Sequence, residues 1–213
     1  MEVKSLDVLK GKITTIYDEY LAGDFKTNAS VKPLCLFNIN LYEDIVYNNR
    51  DINKDELFEL LNIFDLDKNI LKKNYTEISK SEYNKILLII PILENNPVLF
   101  LEDPTVGLDV KSKKTLVKLL KRQKMKNRII IIKSNDSEFV FSVTNIVIYK
   151  SGYRYMIDDN KYNFFSNKKL LKEFDIEQPS IMEFYGDLKS KKIKGLLHRD
   201  NINDLIKEIY RNA

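Results

Sequence analysis

Short apolar runs recur along the chain at KITTIY (12–17), PLCLF (33–37), VLFL (98–101), IIII (129–132) and NIVIY (145–149). Strands that are apolar at nearly every position belong to a parallel sheet buried under helices on both faces. Between them, apolar residues return every three or four positions in DELFELLNIF from Asp55, SEYNKILLIIPILE from Ser81 and KKTLVKLLKRQ from Lys113, which predicts helices. Such alternation predicts an α/β fold with a mostly parallel sheet covered by helices. Pro91 falls inside the second helix and predicts a bend there, because a proline in an unbent helix interior costs about 3 kcal/mol.

After SGYRY the pattern changes. FFSNK (164–168), IMEFYGDLKSKKI (181–193) and NINDLIKEIYRN (201–212) space their apolar residues at helical intervals. The predicted division is an α/β domain over 1–158, with a helical subdomain at about 41–96, and a small C-terminal helical appendage over 159–213.

Composition narrows the picture only a little. With 213 residues and 44% hydrophobic content, the chain can bury a substantial core. A single cysteine, Cys35, excludes an internal disulfide and reads as a small buried filler. The longest apolar run, ILLIIPIL (86–93), is far shorter than the roughly 20 residues of a membrane span. No charged-then-apolar leader opens the chain, so the expected location is cytoplasmic, peripheral at the inner face of a membrane if the chain attaches to one. The formal charge of +4 is small beside 35 basic and 31 acidic residues. The basic stretch KLLKRQKMKNR (118–128) overlies Leu116, Val117, Leu119 and Leu120 at helical spacing, which favours a solvated helix face over a nucleic-acid patch. No nucleic-acid partner is expected. His198, the lone histidine, has no metal partner visible in the sequence and reads as a surface residue.

The stretch VLFLEDPTVGLD (98–109) carries the candidate chemistry. A buried strand ending in Glu102 and Asp103 places two acids at the carboxyl edge of the sheet, where α/β proteins bind ligands. It resembles the Walker B strand and D-loop of ABC-type ATPases, which have a P-loop NTPase-like sheet. The neighbours agree in order. Ser79, Lys80 and Ser81 stand where that family has its signature, and IIIIKSND puts Lys133 to Asp136 at the switch region. NIVIYKSGYRY is similar to the closing strand and hairpin, KITTIY to the strand feeding the P-loop, and LYEDIV (41–46) to the segment after the Q-loop. The tail FFSNKKLLKEFDIEQPSIMEFYGDLKSKKI, with Pro179, is similar to that of ATPase subunits from energy-coupling factor transporters.

The resemblance implies ATP and magnesium, and the chain departs from the family where these would bind. DEYLAGDF (18–25) replaces the glycine-rich loop; only Gly23 keeps its place, and Asp24 falls where the phosphate-binding lysine belongs. Like charges about 4 Å apart repel by about 1 kcal/mol in water and about 4 kcal/mol at an intermediate dielectric. Lys26-Thr27 could imitate the lysine-hydroxyl pair only after a two-residue shift. Glu102 then Asp103 reverses the family's order of acids, leaving Glu102 as a weak metal ligand and both as inefficient catalytic carboxylates. Asn135, in place of the switch histidine, cannot carry positive charge. Ser79 is retained while Lys80 and Ser81 replace signature glycines, so these residues and Asp109 are nucleotide contacts that are vestigial or act in trans.

The expected function is therefore a degenerate ABC ATPase-like subunit, impaired in ATP binding and hydrolysis. Its expected partners are an intact ABC ATPase subunit, as a heterodimer, and a membrane-embedded transporter subunit, with nucleotide held weakly or only at the partner's site. Two alternatives stay open: a slow but active ATPase using Glu102 or Asp103 with Lys26-Thr27, and a nucleic-acid-associated cassette-like protein using Lys118 to Arg128.

Overall fold

The computed structural model describes residues 9–28, 40–48, 52–94, 96–190, 199–200 and 202–212, with only the backbone for 24–28, 48, 208 and 212. The predicted strand at 33–37, with Cys35, and His198 lie outside the described residues.

Five strands form one sheet in the order β2-β3-β1-β4-β5: β1 (Ile13–Tyr17), β2 (Val98–Glu102), β3 (Ile129–Lys133), β4 (Ile146–Ser151) and β5 (Arg154–Asp158). The first four run parallel and β5 turns back antiparallel on β4. Successive side chains on a strand point to opposite faces, and the isoleucines of β3 show what a continuous apolar run achieves. Ile130 and Ile132 enter the larger core with Ile13, Leu99, Leu101 and Val147, while Ile129 and Ile131 enter the smaller one with Ile16, Phe100 and Ile148. Each face is thus sealed by the same short segments.

Helix α1 (Glu19–Asn28) covers the smaller core through Leu21 and Ala22. The larger core receives α2 (Leu41–Asn48), α3 (Lys54–Ile63), two 3-10 turns at Lys68–Lys72 and Tyr75–Glu77, α4 (Lys80–Leu93), α5 (Val110–Met125) and α6 (Ser137–Val143). Helix α4 runs to Leu93 without interruption, so Pro91 sits in its last turn. The proline takes one backbone bond, to the Leu87 carbonyl, from the end of the helix without ending it. Arg128, which the sequence reading placed in a basic surface patch, is 4% exposed. Its guanidinium donates to the carbonyls of Pro91 (3.4 Å), Ile92 (3.2 Å) and Asn96 (2.9 Å) and to Gln123 Oε1 (3.1 Å). This side chain therefore caps the end of α4, and the nucleic-acid alternative loses it.

Four helices follow the sheet: α7 (Lys161–Ser166), α8 (Lys168–Glu173), α9 (Ser180–Ser190) and α10 (Ile202–Asn212). Phe164, Phe165, Leu171, Ile181, Met182 and Leu205 join the larger core. Phe164 stacks on Tyr17 at 5.2 Å and lies 5.2 Å from Tyr149, so it touches the ends of β1 and β4. Among the described residues no helix is long and apolar enough to cross a membrane.

Candidate functional site

The carboxyl ends of β1, β2 and β3 bring together Asp18, Glu19, Glu102, Asp103 and Lys133. Strand β1 ends at Tyr17 and α1 starts at Glu19, so one residue connects them. That residue, Asp18, caps the helix: its Oδ1 accepts the Leu21 N–H at 2.7 Å and its carbonyl accepts that of Ala22 at 3.0 Å. A helix N-terminus carries about half a positive charge and free N–H groups, the features that attract a phosphate. Here a carboxylate of the chain itself takes one of those N–H groups, that of Leu21. Gly23, expected in a phosphate loop, lies within α1, as does the backbone of Asp24, Lys26 and Thr27.

The neighbouring acids share one cation. Lys133 Nζ donates to Glu19 Oε2 at 2.6 Å and to Glu102 Oε1 at 3.1 Å. Parallel pairing of β2 and β3 sets Glu102 directly beside Lys133. The hydrogen bond to Glu19, followed by that to Glu102, outweighs desolvation and raises the lysine pKa above its ordinary value. Asp103 is exposed and held in the left-handed region, φ 41°, by the bond from its N–H to the Lys133 carbonyl (2.8 Å).

Behind the acids, PTVGLD forms a tight turn into α5. Pro104, Thr105 and Leu108 are buried. Asp109 caps α5, its Oδ1 accepting the Ser112 N–H at 2.7 Å; this bond is the main cause of its lowered pKa. Lys85 of α4 reaches both the Phe64 carbonyl at the end of α3 (3.2 Å) and Asp109 (3.8 Å). The Asn84 amide donates to the Val106 carbonyl at 3.0 Å, and Gly107, φ 71°, leaves room for it, because a Cβ there would overlap that amide. Gly107→Ala is therefore expected to cost about 1–3 kcal/mol, read as a lowered thermal midpoint. An unchanged midpoint would mean that the turn relaxes freely.

The start of α4 is also closed by its own chain. Ser79 Oγ accepts the Glu82 N–H (3.2 Å) and Glu82 Oε2 accepts the Ser79 N–H (2.7 Å), a capping box. The backbone bond from Ser79 is the main cause of the lowered Glu82 pKa. Lys80 opens the helix and is exposed, and Ser81 is half-buried. At the end of β3, Ser134 is buried and Asn135 exposed, while Asp136 caps α6 through Phe139 N–H (3.1 Å) and pairs with Lys113 at 2.7 Å. Burial opposes ionisation of Asp136, and Lys113 and the Phe139 N–H outweigh it, leaving the pKa below the usual value.

Magnesium requires several oxygens at about 2.0–2.1 Å in near-octahedral array. Among the described residues no three histidine, cysteine, aspartate or glutamate side chains gather to hold a metal ion, and one oxygen of Glu102 already faces an ammonium. Among the described residues at this edge, Asp18 caps the helix start and Lys133 is shared by Glu19 and Glu102. Lys133, Asp18 and Lys85 escaped the sequence reading as site residues; an aspartate directly before an acidic first turn is a helix-start signal that could have revealed Asp18.

Comparisons with known proteins agree with the fold. The energy-coupling factor transporter ATP-binding protein EcfA2 of Staphylococcus epidermidis is 26% identical over 163 residues, covering 73% of this chain and 57% of that protein. EcfA2 of Mycoplasma capricolum is 24% identical, covering 88% of this chain and 74% of its own length. The chain resembles the ATP-binding subunits of energy-coupling factor transporters. The fold is that of ABC-type ATPases. The structure of an ATP-binding subunit of an ABC transporter superposes with a TM-score of 0.59 at 14% identity, covering 84% of this chain and 89% of that one. That of cbiO1 from Clostridium perfringens, part of the ABC transporter complex cbiONQ, gives 0.55 at 18% identity, with 83% and 88% covered. No protein-family model matches the chain. The chain spans little more than half of the Staphylococcus relative, which is named as an ATP-binding protein.

Proposed function

We propose that the chain is an ABC ATPase-like subunit of an energy-coupling factor-type transporter that does not bind or hydrolyse nucleotide efficiently at its own edge. It serves as the structural or regulatory partner of an intact ATPase subunit, on the cytoplasmic face of a membrane and against a membrane-embedded subunit. The observation that carries this reading is the one-residue link between β1 and α1, with Asp18 seated on the helix N-terminus. Glu19, Glu102 and Lys133 support it: two carboxylates share one ammonium, which leaves the group net negative where a phosphate would need positive charge.

In this reading the retained parts have work to do. Asp109, Lys85, Asn84 and Gly107 hold the turn after β2 against α4, which keeps the helical subdomain in place relative to the sheet. An open cavity of about 440 Å³ on that subdomain, lined by Asn40, Tyr42, Phe58, Lys68, Leu71 and Lys72, offers a concave surface to the membrane subunit. Ser79, Lys80 and Ser81, at the start of α4, are the residues that would meet nucleotide held by the partner ATPase.

Calorimetric titration with Mg-ATP, at protein concentrations that resolve millimolar affinity, tests the reading. The expected result is no heat of binding for this chain alone and a complex with the intact ATPase in size-exclusion analysis. Micromolar binding by the isolated chain would overturn it and favour the slow-ATPase alternative.

A further inference from the structure

Lys161 opens α7 with its side chain only 8% exposed. Its ammonium donates to the Phe141 carbonyl at 2.6 Å and to Asp200 Oδ1 at 2.8 Å, and lies 4.6 Å from the centre of the Phe141 ring. The Tyr162 hydroxyl donates to the same Asp200 oxygen at 2.7 Å, and the Arg199 N–H donates to the Tyr185 hydroxyl at 2.6 Å. Three ties from the body of the protein therefore converge on two consecutive residues, immediately before α10.

We propose that Asp200 is a latch that docks α10 onto the protein as a separately releasable element. The proposal is independent of nucleotide chemistry and goes beyond the function argued above. Beyond the latch, α10 enters the core through Leu205, fully buried, and the partly buried Ile209. Ile202, Ile206 and Tyr210, on the adjoining arc of the helix, remain 44%, 39% and 81% exposed. So little buried surface makes the two-residue anchor a large share of what holds the helix.

The pair is also asymmetric. Asp200 keeps 48% of its side chain in solvent, so water and salt reach it, whereas Lys161 is sealed. When the carboxylate leaves, the ammonium keeps the Phe141 carbonyl and the aromatic ring beneath it. The mobile half of the latch is thus Asp200, together with the helix that follows. Burial opposes ionisation of Asp200, and the bonds from Lys161 and Tyr162, aided by the charge of Lys121, more than compensate. Lys121 and Lys124 both act against the Lys161 charge. Release would present Ile202, Leu205, Ile206, Ile209 and Tyr210 along one side of an amphipathic helix.

Hydrogen exchange on the full chain tests the latch. Asp200→Asn keeps the shape and removes the charge, and is expected to accelerate amide exchange in α10 by about tenfold or more while β1 and β3 are unchanged. Tyr162→Phe, which removes one of the two bonds to Asp200, is expected to give about a threefold acceleration confined to the same helix. Unchanged exchange in α10 for both variants would overturn the proposal. Parallel acceleration of helix and sheet would overturn it too, because α10 would then open only with the whole protein.

Discussion

Replacing Phe164 by alanine is expected to lower stability by about 3–5 kcal/mol, and the thermal midpoint by about 10 °C for a chain of this size. The ring is fully buried and sits among four others: parallel to Tyr17 (8° between planes), tilted against Tyr149 and Phe174, and edge-on to Phe165. Truncation removes this burial and leaves a cavity that aromatic neighbours, locked on two strands, on α7 and at the end of α8, cannot close. The location of the damage matters as much as its size. Tyr17 ends β1 immediately before Asp18, and Tyr149 lies on β4, so the helices after the sheet and the strand that leads into α1 share one packing unit. A sheet probe and a probe in α9 should therefore melt together at the same lowered temperature. A loss below 1 kcal/mol, or a melt of α7–α9 that leaves the sheet transition in place, would show that the C-terminal helices contribute nothing to the strand carrying Asp18.

The sequence made the sheet legible wherever strands were apolar throughout. VLFL, IIII and the IVIY of NIVIY lie in strands of the parallel sheet, because a segment buried on both faces has no polar positions to confuse its period. Helix α6 was missed: SEFVFSV is too short for a helical repeat, and its start depends on the Asp136 cap. At the candidate site, the acids and the turn after them were readable from their order alone. Lys133 was not, although it stands within the quoted stretch IIIIKSND. Its meaning depends on register, since only parallel pairing of β2 with β3 sets it beside Glu102, and only the short link after β1 brings Glu19 within reach. That DEYLAGDF departs from a glycine-rich loop could be seen from the residues alone. That a carboxylate caps the helix start could not, because comparison of this stretch with a phosphate loop hides the helix-start signal of Asp18. Arg128 shows the opposite error, a charge assigned to the surface because its neighbours were charged.

Arg128→Met is expected to cost about 3–5 kcal/mol, although the replacement is apolar and of similar length. The last carbonyls of a helix have no partners within it and carry its negative partial charge. At the end of α4 two of these, on Pro91 and Ile92, together with the carbonyl of Asn96, receive the guanidinium. Gln123 Oε1 takes a further bond, which ties α5 to the same point. Removing the donors leaves buried acceptors unmatched, at about 1–3 kcal/mol each before relaxation. Arg128→Lys is expected to recover less than half of the loss, because a single ammonium cannot reproduce a planar fork that serves four acceptors. The effect should extend to the other end of α4, where Ser79 and Glu82 close the helix and Lys80 faces outward. With its far end released, α4 is held to the sheet mainly by packing, the Asn84 contact and the Lys85 bridge. Amide exchange through its last two turns should then rise sharply, and association with the proposed partner ATPase should weaken. If the methionine variant kept wild-type stability, the guanidinium would be a passenger at this junction, and the position of α4 would have to be set by its apolar face alone.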